Sequence, residues 1–216
     1  MENSNHFNVI VIGAGISGIG AGYYLKKNCP NKSFCIIEGR ENIGGTWDLF
    51  KYPGIRSDSD MFTLGYAFKP WKEQKTIANG PSILNYLEET VEENNLREKI
   101  KFSHKVSSAN WNSGSQKWEV RAAHHEQEIL LTANFLFMGT GYYNYDEGYT
   151  PDFNDLNKYE GKLIHPQKWP EDYDYTDKKM VVIGSGATAA TIIPELSKKA
   201  KHVTMLQRSP TYYFPS

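Results

Sequence analysis

The ten residues "VIVIGAGISG", positions 9–18, decide the fold. A continuous apolar run ends at Gly13, a helix-like stretch opens behind it and continues through Lys27, and a second short apolar run, Phe34 to Ile37, ends at Glu38. Strand, tight turn, helix and strand in that order make a β-α-β unit. Gly13, Gly15 and Gly18 stand at G-x-G-x-x-G spacing, and an acid follows twenty residues beyond Gly18, which is the context a dinucleotide fingerprint requires. Gly13 permits the turn, Gly15 lets the backbone approach a pyrophosphate, and Gly18 lets the helix pack closely on the strand. The phosphates would sit at the helix N-terminus, where free N–H groups and the helix dipole favour anions. Glu38 would accept hydrogen bonds from a free ribose diol and repel a 2′-phosphate, so the expected ligand is FAD or NAD. A glycine turn formed for packing alone is the competing reading.

The same grammar returns at "MVVIGSGATA", positions 180–189, with a helix to about Lys199 and a strand at "HVTMLQ". Gly184, Gly186 and Ala189 occupy the glycine positions, and alanine is allowed at the third. The interval from Gly13 to Glu38, counted from Gly184, lands on Ser209 beside Arg208. A cation and a hydroxyl replace the acid. Arginine grips a phosphate with two parallel hydrogen bonds, so this second turn is expected to prefer NADP over NAD. The alternative is a surface arginine at a strand end. FAD at the first turn and NADPH at the second fit the charge contrast best.

Between and around these turns the chain is informative in parts. Its 216 residues admit one large domain or two small ones, and its net charge of −1 leaves no electrostatic footprint for nucleic acid or an anionic membrane. The apolar runs are all shorter than the roughly 20 residues a membrane span needs. No charged and apolar leader opens the N-terminus, and only Cys29 and Cys35 are present, so a soluble cytoplasmic protein with small-molecule partners is expected. Residues 39–80, rich in Gly, Pro, Ser and Asp, read as a loop covering a ligand. A helix is expected over 81–97, with Leu84, Leu87 and Val91 on one face. The runs "KFSHKV", "SSANW" and "KWEVRA" read as strands of an antiparallel meander, and "FLFMG" as a strand returning to the first parallel sheet. The expected fold class is α/β, with two dinucleotide-binding, Rossmann-like, doubly wound domains in series. They are a FAD-binding domain over 1–145 with an inserted β-meander, a linker over 146–179, and the start of an incomplete NADP-binding domain over 180–216.

Two longer stretches carry a resemblance. "YEGKLIHPQKWP", positions 159–170, has Gly161, His165, Trp169 and Pro170 at the spacing of a fingerprint that opens with Phe, where this chain has Tyr159. "GGTWDLFKYPGIRSD", positions 44–58, matches a second pattern without a gap. In both, the chain resembles the class B flavoprotein monooxygenases, and Trp169-Pro170 favours their type I Baeyer-Villiger branch over the heteroatom-oxidising flavin-containing monooxygenases. The resemblance implies that Ser17, Glu38, Thr46, Trp47, Asp48 and Leu49 contact FAD and that Val106 meets the adenine through its backbone. It implies that Arg56, Ser57 and Asp58 lie where flavin and nicotinamide meet. It assigns NADPH to Ser185, Gly186, Ala187, Thr188, Ala189, Ala190 and Thr191, with Arg208 and Ser209. Such enzymes reduce FAD with NADPH, capture O2 as a flavin C4a-peroxide, and oxygenate a small apolar ketone or a sulfur-containing substrate.

Arg56, Asp58 and His165 are the candidate catalytic residues. A carboxylate cannot itself stabilise a peroxyanion, so Asp58 is expected to orient a cationic arginine; capping its own loop is the other reading. His165 stands where the two nucleotide units are expected to join, and either governs domain motion or is a structural histidine. The second unit contains only strand, helix and strand, and the family's active-site arginine falls outside residues 1–216. The chain is therefore expected to be an N-terminal portion that does not complete oxygenation alone. A truncated flavin-binding module remains an alternative. A disulfide reductase would need a cysteine pair at the flavin, whereas Cys29 and Cys35 sit at the far end of the first helix.

Overall fold

The computed structural model describes residues 5–212; the outermost residues of both expected domains, 1–4 and 213–216, lie outside it. Strand β1, His6–Ile12, ends in the buried Ile10, Val11 and Ile12, and strand β2, Phe34–Ile37, is buried along its whole length. Continuous apolar runs of this kind suit strands covered on both faces. Helix α1, Ile16–Asn28, joins them and buries Ile19 together with Gly18, Gly20 and Gly22, three residues without side chains that let it lie close to the sheet. Short helices α2, Thr46–Leu49, and α3, Met61–Leu64, follow within the loop-like region.

Helix α4, Gly80–Glu93, stops short of the expected residue 97. Asn95 takes a left-handed conformation at φ 48°, and the Leu96 N–H turns back to the Val91 carbonyl, which closes the helix. Its buried face is Ile83, Tyr86, Leu87, Thr90 and Val91; the expected Leu84 sits beside that face, only partly buried.

Strand β3, Ile100–Lys101, pairs parallel with β2, and β4, His104–Asn112, opens the meander that β5, Lys117–His124, and β6, Gln127–Met138, complete. The expected separate strands "KFSHKV" and "SSANW" are divided differently. Ser103, at φ 56°, breaks the chain after β3, and the two runs then merge into β4 with a bulge between Val106 and Ser108. The sheet order is β3-β2-β1-β6-β5-β4. Strand β6 joins both halves: Gln127 to Ala133 run antiparallel to β5, while Thr132 to Met138 run parallel to β1. The core holds Ile10, Ile12, Cys35 and Ile37 against Val120, Leu131 and Ala133 of the meander.

Strands β7, Lys179–Ile183, and β8, His202–Leu206, pair in parallel and are joined by helix α5, Ala187–Leu196. The helix ends before the expected Lys199. Around α5 a second cluster forms from Phe50, Tyr52, Ile192 and Leu196, with Trp169, Tyr175, Met180, Val182 and Val203 packed on it. That clustering decides the division of the chain. One compact unit takes 81–142 together with the residues up to Asp48; the other takes 49–80 together with the residues from Tyr143 onward. Residues 49–80, assigned by the sequence to the first domain, thus gather with the second, because Phe50 and Tyr52 bury their rings on α5. Among the described residues no helix is long and apolar enough to cross a membrane.

Candidate dinucleotide sites

At the first turn, Gly13 has φ +99° and its N–H donates to the Ile37 carbonyl at 2.7 Å. A Cβ on Gly18 would stand 1.8 Å from the Gly13 carbonyl oxygen, so this glycine is required by helix-on-turn packing. Gly15 differs. A Cβ there would meet nothing nearer than 3.7 Å, so the protein's own packing does not demand glycine at this position. Gly15 is the N-cap of α1, with no side chain capping the helix and no acid in its first turn; Ser17 lies exposed in that turn. Gly15 offers no side chain to cap α1, so an incoming pyrophosphate would meet no competing capping group there.

Glu38 is buried, with 5% of its surface exposed. One carboxylate oxygen, Oε2, accepts the Ala14 N–H at 2.8 Å, and Oε1 accepts the Arg40 N–H at 3.0 Å. A carboxylate offers about four lone-pair sites, so this acid ties the turn to β2 and keeps acceptor capacity for a ribose diol. Arg40 carries the arrangement further. Its guanidinium pairs with Asp48 at 2.9 Å and donates to the Gly45 carbonyl at 3.0 Å, fixing the segment that bears Thr46, Trp47 and Asp48. The sequence reading passes over Arg40, although its place two residues after the strand-ending acid is a usable signal. On the other side, the Glu38 N–H donates to Lys101 O and the His104 N–H donates to Glu38 O, so β4 starts at the acid and carries Val106 two residues later.

At the second turn, Gly184 has φ +123° and its N–H donates to Leu206 O at 2.8 Å. A Cβ on Gly184 or Gly186 would meet nothing within 4 Å. Gly186 caps α5 without a side-chain bond, and Ala189 is buried. The hydroxyls of Ser185 and Thr211 are 2.7 Å apart, which holds the segment after β8 to the turn; Arg208 and Ser209 lie exposed within that segment. Thr191 donates its hydroxyl to Ala187 O, so its polar group serves the helix itself. Tyr52, a residue that the sequence reading leaves without a role, buries its ring with Ile192 and Leu196 of α5. No local pattern announces that pairing.

The segment before it arranges Arg56, Ser57 and Asp58. Ser57 is 3% exposed, its N–H donates to Ala78 O, and its hydroxyl both donates to Ser59 O at 2.6 Å and accepts the Ser59 N–H. Arg56 bridges to Asn79 through the backbone. With Ser57 locked inside, Arg56 and Asp58 on either side are exposed, and Asp58 lines an open cavity of about 690 Å³ with Asp60, Thr63 and Lys75. The loop's helix cap is Asp60, whose carboxylate accepts the Thr63 N–H at 2.9 Å and is held below the usual carboxylate range by the bonds from Thr63.

His165 caps a 3-10 turn, Pro166–Lys168, its Nδ1 accepting the Gln167 N–H at 3.2 Å. In the neutral ring that bond leaves the proton on Nε2. A Cβ on Gly148 would stand 2.0 Å from the His165 ring, and the Gln167 amide donates to Asn144 O, so the histidine closes its own segment together with residues 144–148. Trp169 meets Tyr173 and Tyr175 edge-on.

Residues 10–213 match the family described as pyridine nucleotide-disulphide oxidoreductase. The chain belongs to this family. It is 55% identical over 210 residues to the FAD-containing monooxygenase EthA of Mycolicibacterium smegmatis, covering 97% of this chain and 43% of that protein. It is also 55% identical to the probable FAD-binding monooxygenase AlmA of Acinetobacter baylyi, covering 96% and 42%. Among solved structures, cyclohexanone monooxygenase from Rhodococcus sp. Phi1 bound to NADP+ superposes with a TM-score of 0.83 at 28% identity, over 99% of this chain and 40% of that one. The chain thus spans less than half the length of these relatives. The mixed α/β fold with a largely parallel sheet is the fold they share. Both cysteines are free, and burial pushes the Cys35 thiol up to about 12, so no thiolate is ready there at neutral pH for the disulfide chemistry in the family's description.

Proposed function

We propose that this chain binds FAD at the Gly13 to Glu38 turn and NADPH at the Gly184 to Ser209 turn, and serves a monooxygenase that oxygenates a small apolar ketone or a sulfur compound with O2. The observation that carries the reading is the contrast between the two turns. The first is closed by a buried carboxylate, and the second by a segment that bears an exposed guanidinium and is tied to the turn through Ser185 and Thr211. The space around Gly15 and Gly186 supports it, since neither glycine is needed for internal packing and both stand at uncapped helix N-termini. The named activities of the relatives support it as well: FAD-containing monooxygenases in sequence and a monooxygenase bound to NADP+ in structure. When bound, FAD and NADPH would supply hydride transfer and oxygen activation.

The chain's own residues bind and orient. The N–H groups of α1 and α5 receive the two pyrophosphates, Glu38 holds the ribose diol of the first nucleotide, and Arg208 with Ser209 takes the 2′-phosphate of the second. Arg56 and Asp58 present opposite charges from one loop, so Asp58 can orient a guanidinium without itself meeting a developing anion. Trp169-Pro170 supports the ketone-oxygenating reading over the purely heteroatom-oxidising one. Unpaired thiols fit the expectation of a cytoplasmic location.

Equilibrium titration with NADP+ and NAD+ tests the central claim. NADP+ is expected to bind more tightly, and Arg208→Ala to weaken NADP+ roughly tenfold or more while leaving NAD+ unchanged, as loss of a charge-assisted phosphate contact dictates. Equal affinities for the two nucleotides, or an Arg208→Ala effect shared by both, would overturn it.

A further inference from the structure

Arg40 stands two residues past the strand-ending acid, and neither nucleotide assignment uses it. Its backbone N–H donates to Glu38 Oε1 at 3.0 Å, and its guanidinium meets the Asp48 carboxylate at 2.9 Å and donates to Gly45 O at 3.0 Å. These bonds are part of a closed circuit. Glu38 Oε2 accepts the Ala14 N–H at 2.8 Å, and the Gly44 N–H donates to Ala14 O at 3.0 Å. The links thus pass from the first turn to the acid, to Arg40, to residues 44–48 and back to the first turn. Gly45 is the part of the circuit that faces the proposed phosphate slot: the nearest atoms to a Cβ on Gly15 would be Gly45 Cα at 3.7 Å and Gly45 N at 3.9 Å. Gly45 takes a left-handed conformation, φ 55°, and its carbonyl accepts the Asp48 N–H at 3.2 Å as well as the guanidinium. With two donors on one carbonyl oxygen, its lone pairs are both engaged and its direction is fixed.

We propose that Arg40 is a positioning residue for the first nucleotide: its guanidinium holds the Gly45 backbone across from Gly15, where the pyrophosphate enters. The inference rests on the FAD reading given above. A planar guanidinium reaches the Asp48 carboxylate with one nitrogen and Gly45 O with another, so it sets the direction of this backbone as well as its distance. An ammonium supplies the same charge without the rigid fork. The Arg40 and Asp48 side chains are 25% and 15% exposed, which shields the pair from much of the screening that makes surface ion pairs worth little. Removing the guanidinium leaves Gly45 O with the Asp48 N–H alone, while the Gly44 to Ala14 bond still ties the segment to the turn. The segment then stays in the fold but loses the bond that aims it.

Equilibrium dialysis of the 216-residue chain against FAD, at a temperature well below the melting transition of each variant, reads this directly. Arg40→Met, which keeps an apolar stem and loses the fork, is expected to weaken FAD about tenfold, the share of one charge-assisted hydrogen bond. Arg40→Lys, which keeps the charge, is expected to recover only part and to remain about threefold weaker than the parent. Melts of the FAD-free proteins read the structural contribution separately, because a loss of stability alone does not change the affinity of molecules that remain folded. Parent-like FAD affinity in Arg40→Met, whatever its melting temperature, would make Arg40 purely structural and overturn the proposal. Full recovery in Arg40→Lys would also overturn it, since charge beside Glu38 would then be the whole effect. Should Arg40→Met fail to fold, Arg40→Lys decides alone: a partial loss supports the proposal and parent affinity sinks it. No FAD bound by the unmodified chain would remove the FAD reading, and this inference with it.

Discussion

Gly15 and Gly18 stand three positions apart in one motif, and they are glycines for different reasons. Gly18 has no room for a methyl group, since a Cβ would overlap the Gly13 carbonyl, whereas Gly15 has room to spare. Gly18→Ala is therefore expected to cost on the order of 3 kcal/mol of stability through overpacking. Gly15→Ala should cost no more than about 1 kcal/mol, since Ala is only a poorer N-cap than Gly, while flavin retention falls. Thermal melts and the visible spectrum of the purified variants separate the two; a Gly15→Ala protein that holds flavin as well as its parent would remove the phosphate role. His165 allows a similar separation. Its ring acts as a cap, so His165→Ala should lower stability by about 1 kcal/mol and His165→Asn, which can also accept an N–H, should recover most of that. A shortfall in nucleotide-dependent behaviour that Asn fails to repair would assign the ring more than a cap. The spacing of the glycines was legible in the sequence, and so was Glu38. Arg40 left a signal in its place two residues after that acid, whereas Tyr52 did not, because it packs on Ile192 and Leu196, which no local pattern links to it.

Among the elements, β4 and β5 place two histidines face to face. His104 and His124 are register partners with rings stacked 4.1 Å apart, and His125 lies 4.3 Å from His124. Burial holds the His104 pKa below its ordinary value; the bond to Phe102 O opposes this, and the charges of His124, Lys101 and His125 reinforce it. With a lowered folded pKa, the unfolded chain takes up the proton more readily. Stability from this group is then present above the ordinary histidine pKa and is lost as pH falls through the folded one. Melting temperatures measured from pH 7.5 down to 5 should fall, and His104→Gln should flatten the decline; an unchanged slope in that variant would exclude His104 as its source. Because the His104 N–H also holds Glu38 O, the strand that titrates is the strand that bears Val106. The strands of the meander were legible as short runs, while the merging of two of those runs into β4 was not. A single left-handed residue, Ser103, and a bulge set that boundary.

For the whole molecule, the exposed apolar surface is the telling feature. In the first unit Phe135 is 69% and Met138 61% exposed at the end of β6; in the second, Val181, Ile183 and Leu206 are more than half exposed on one face of the β7 and β8 pair. Apolar surface of this kind is what protein–protein contacts and hydrophobic probes bind. The chain alone is expected to raise the fluorescence of an apolar dye under native conditions and to self-associate as concentration rises. Phe135→Ser with Val181→Ser should reduce both, as read by dye titration and light scattering. A monodisperse chain with no dye response would contradict the exposure described here.

Local physics determined much of this protein from the sequence alone. Apolar runs ending in glycine forced two strand-turn-helix units, an acid after one and a cation after the other set opposite charges, and Asx and Gly chemistry marked the turns. Tertiary structure decided what distance in sequence conceals. It placed residues 49–80 with the second unit, because aromatic rings at 50 and 52 gain more by burial on α5 than by standing in a loop. It also made His165 the cap of its own turn, since an N–H at a helix start takes whatever acceptor the fold brings within reach.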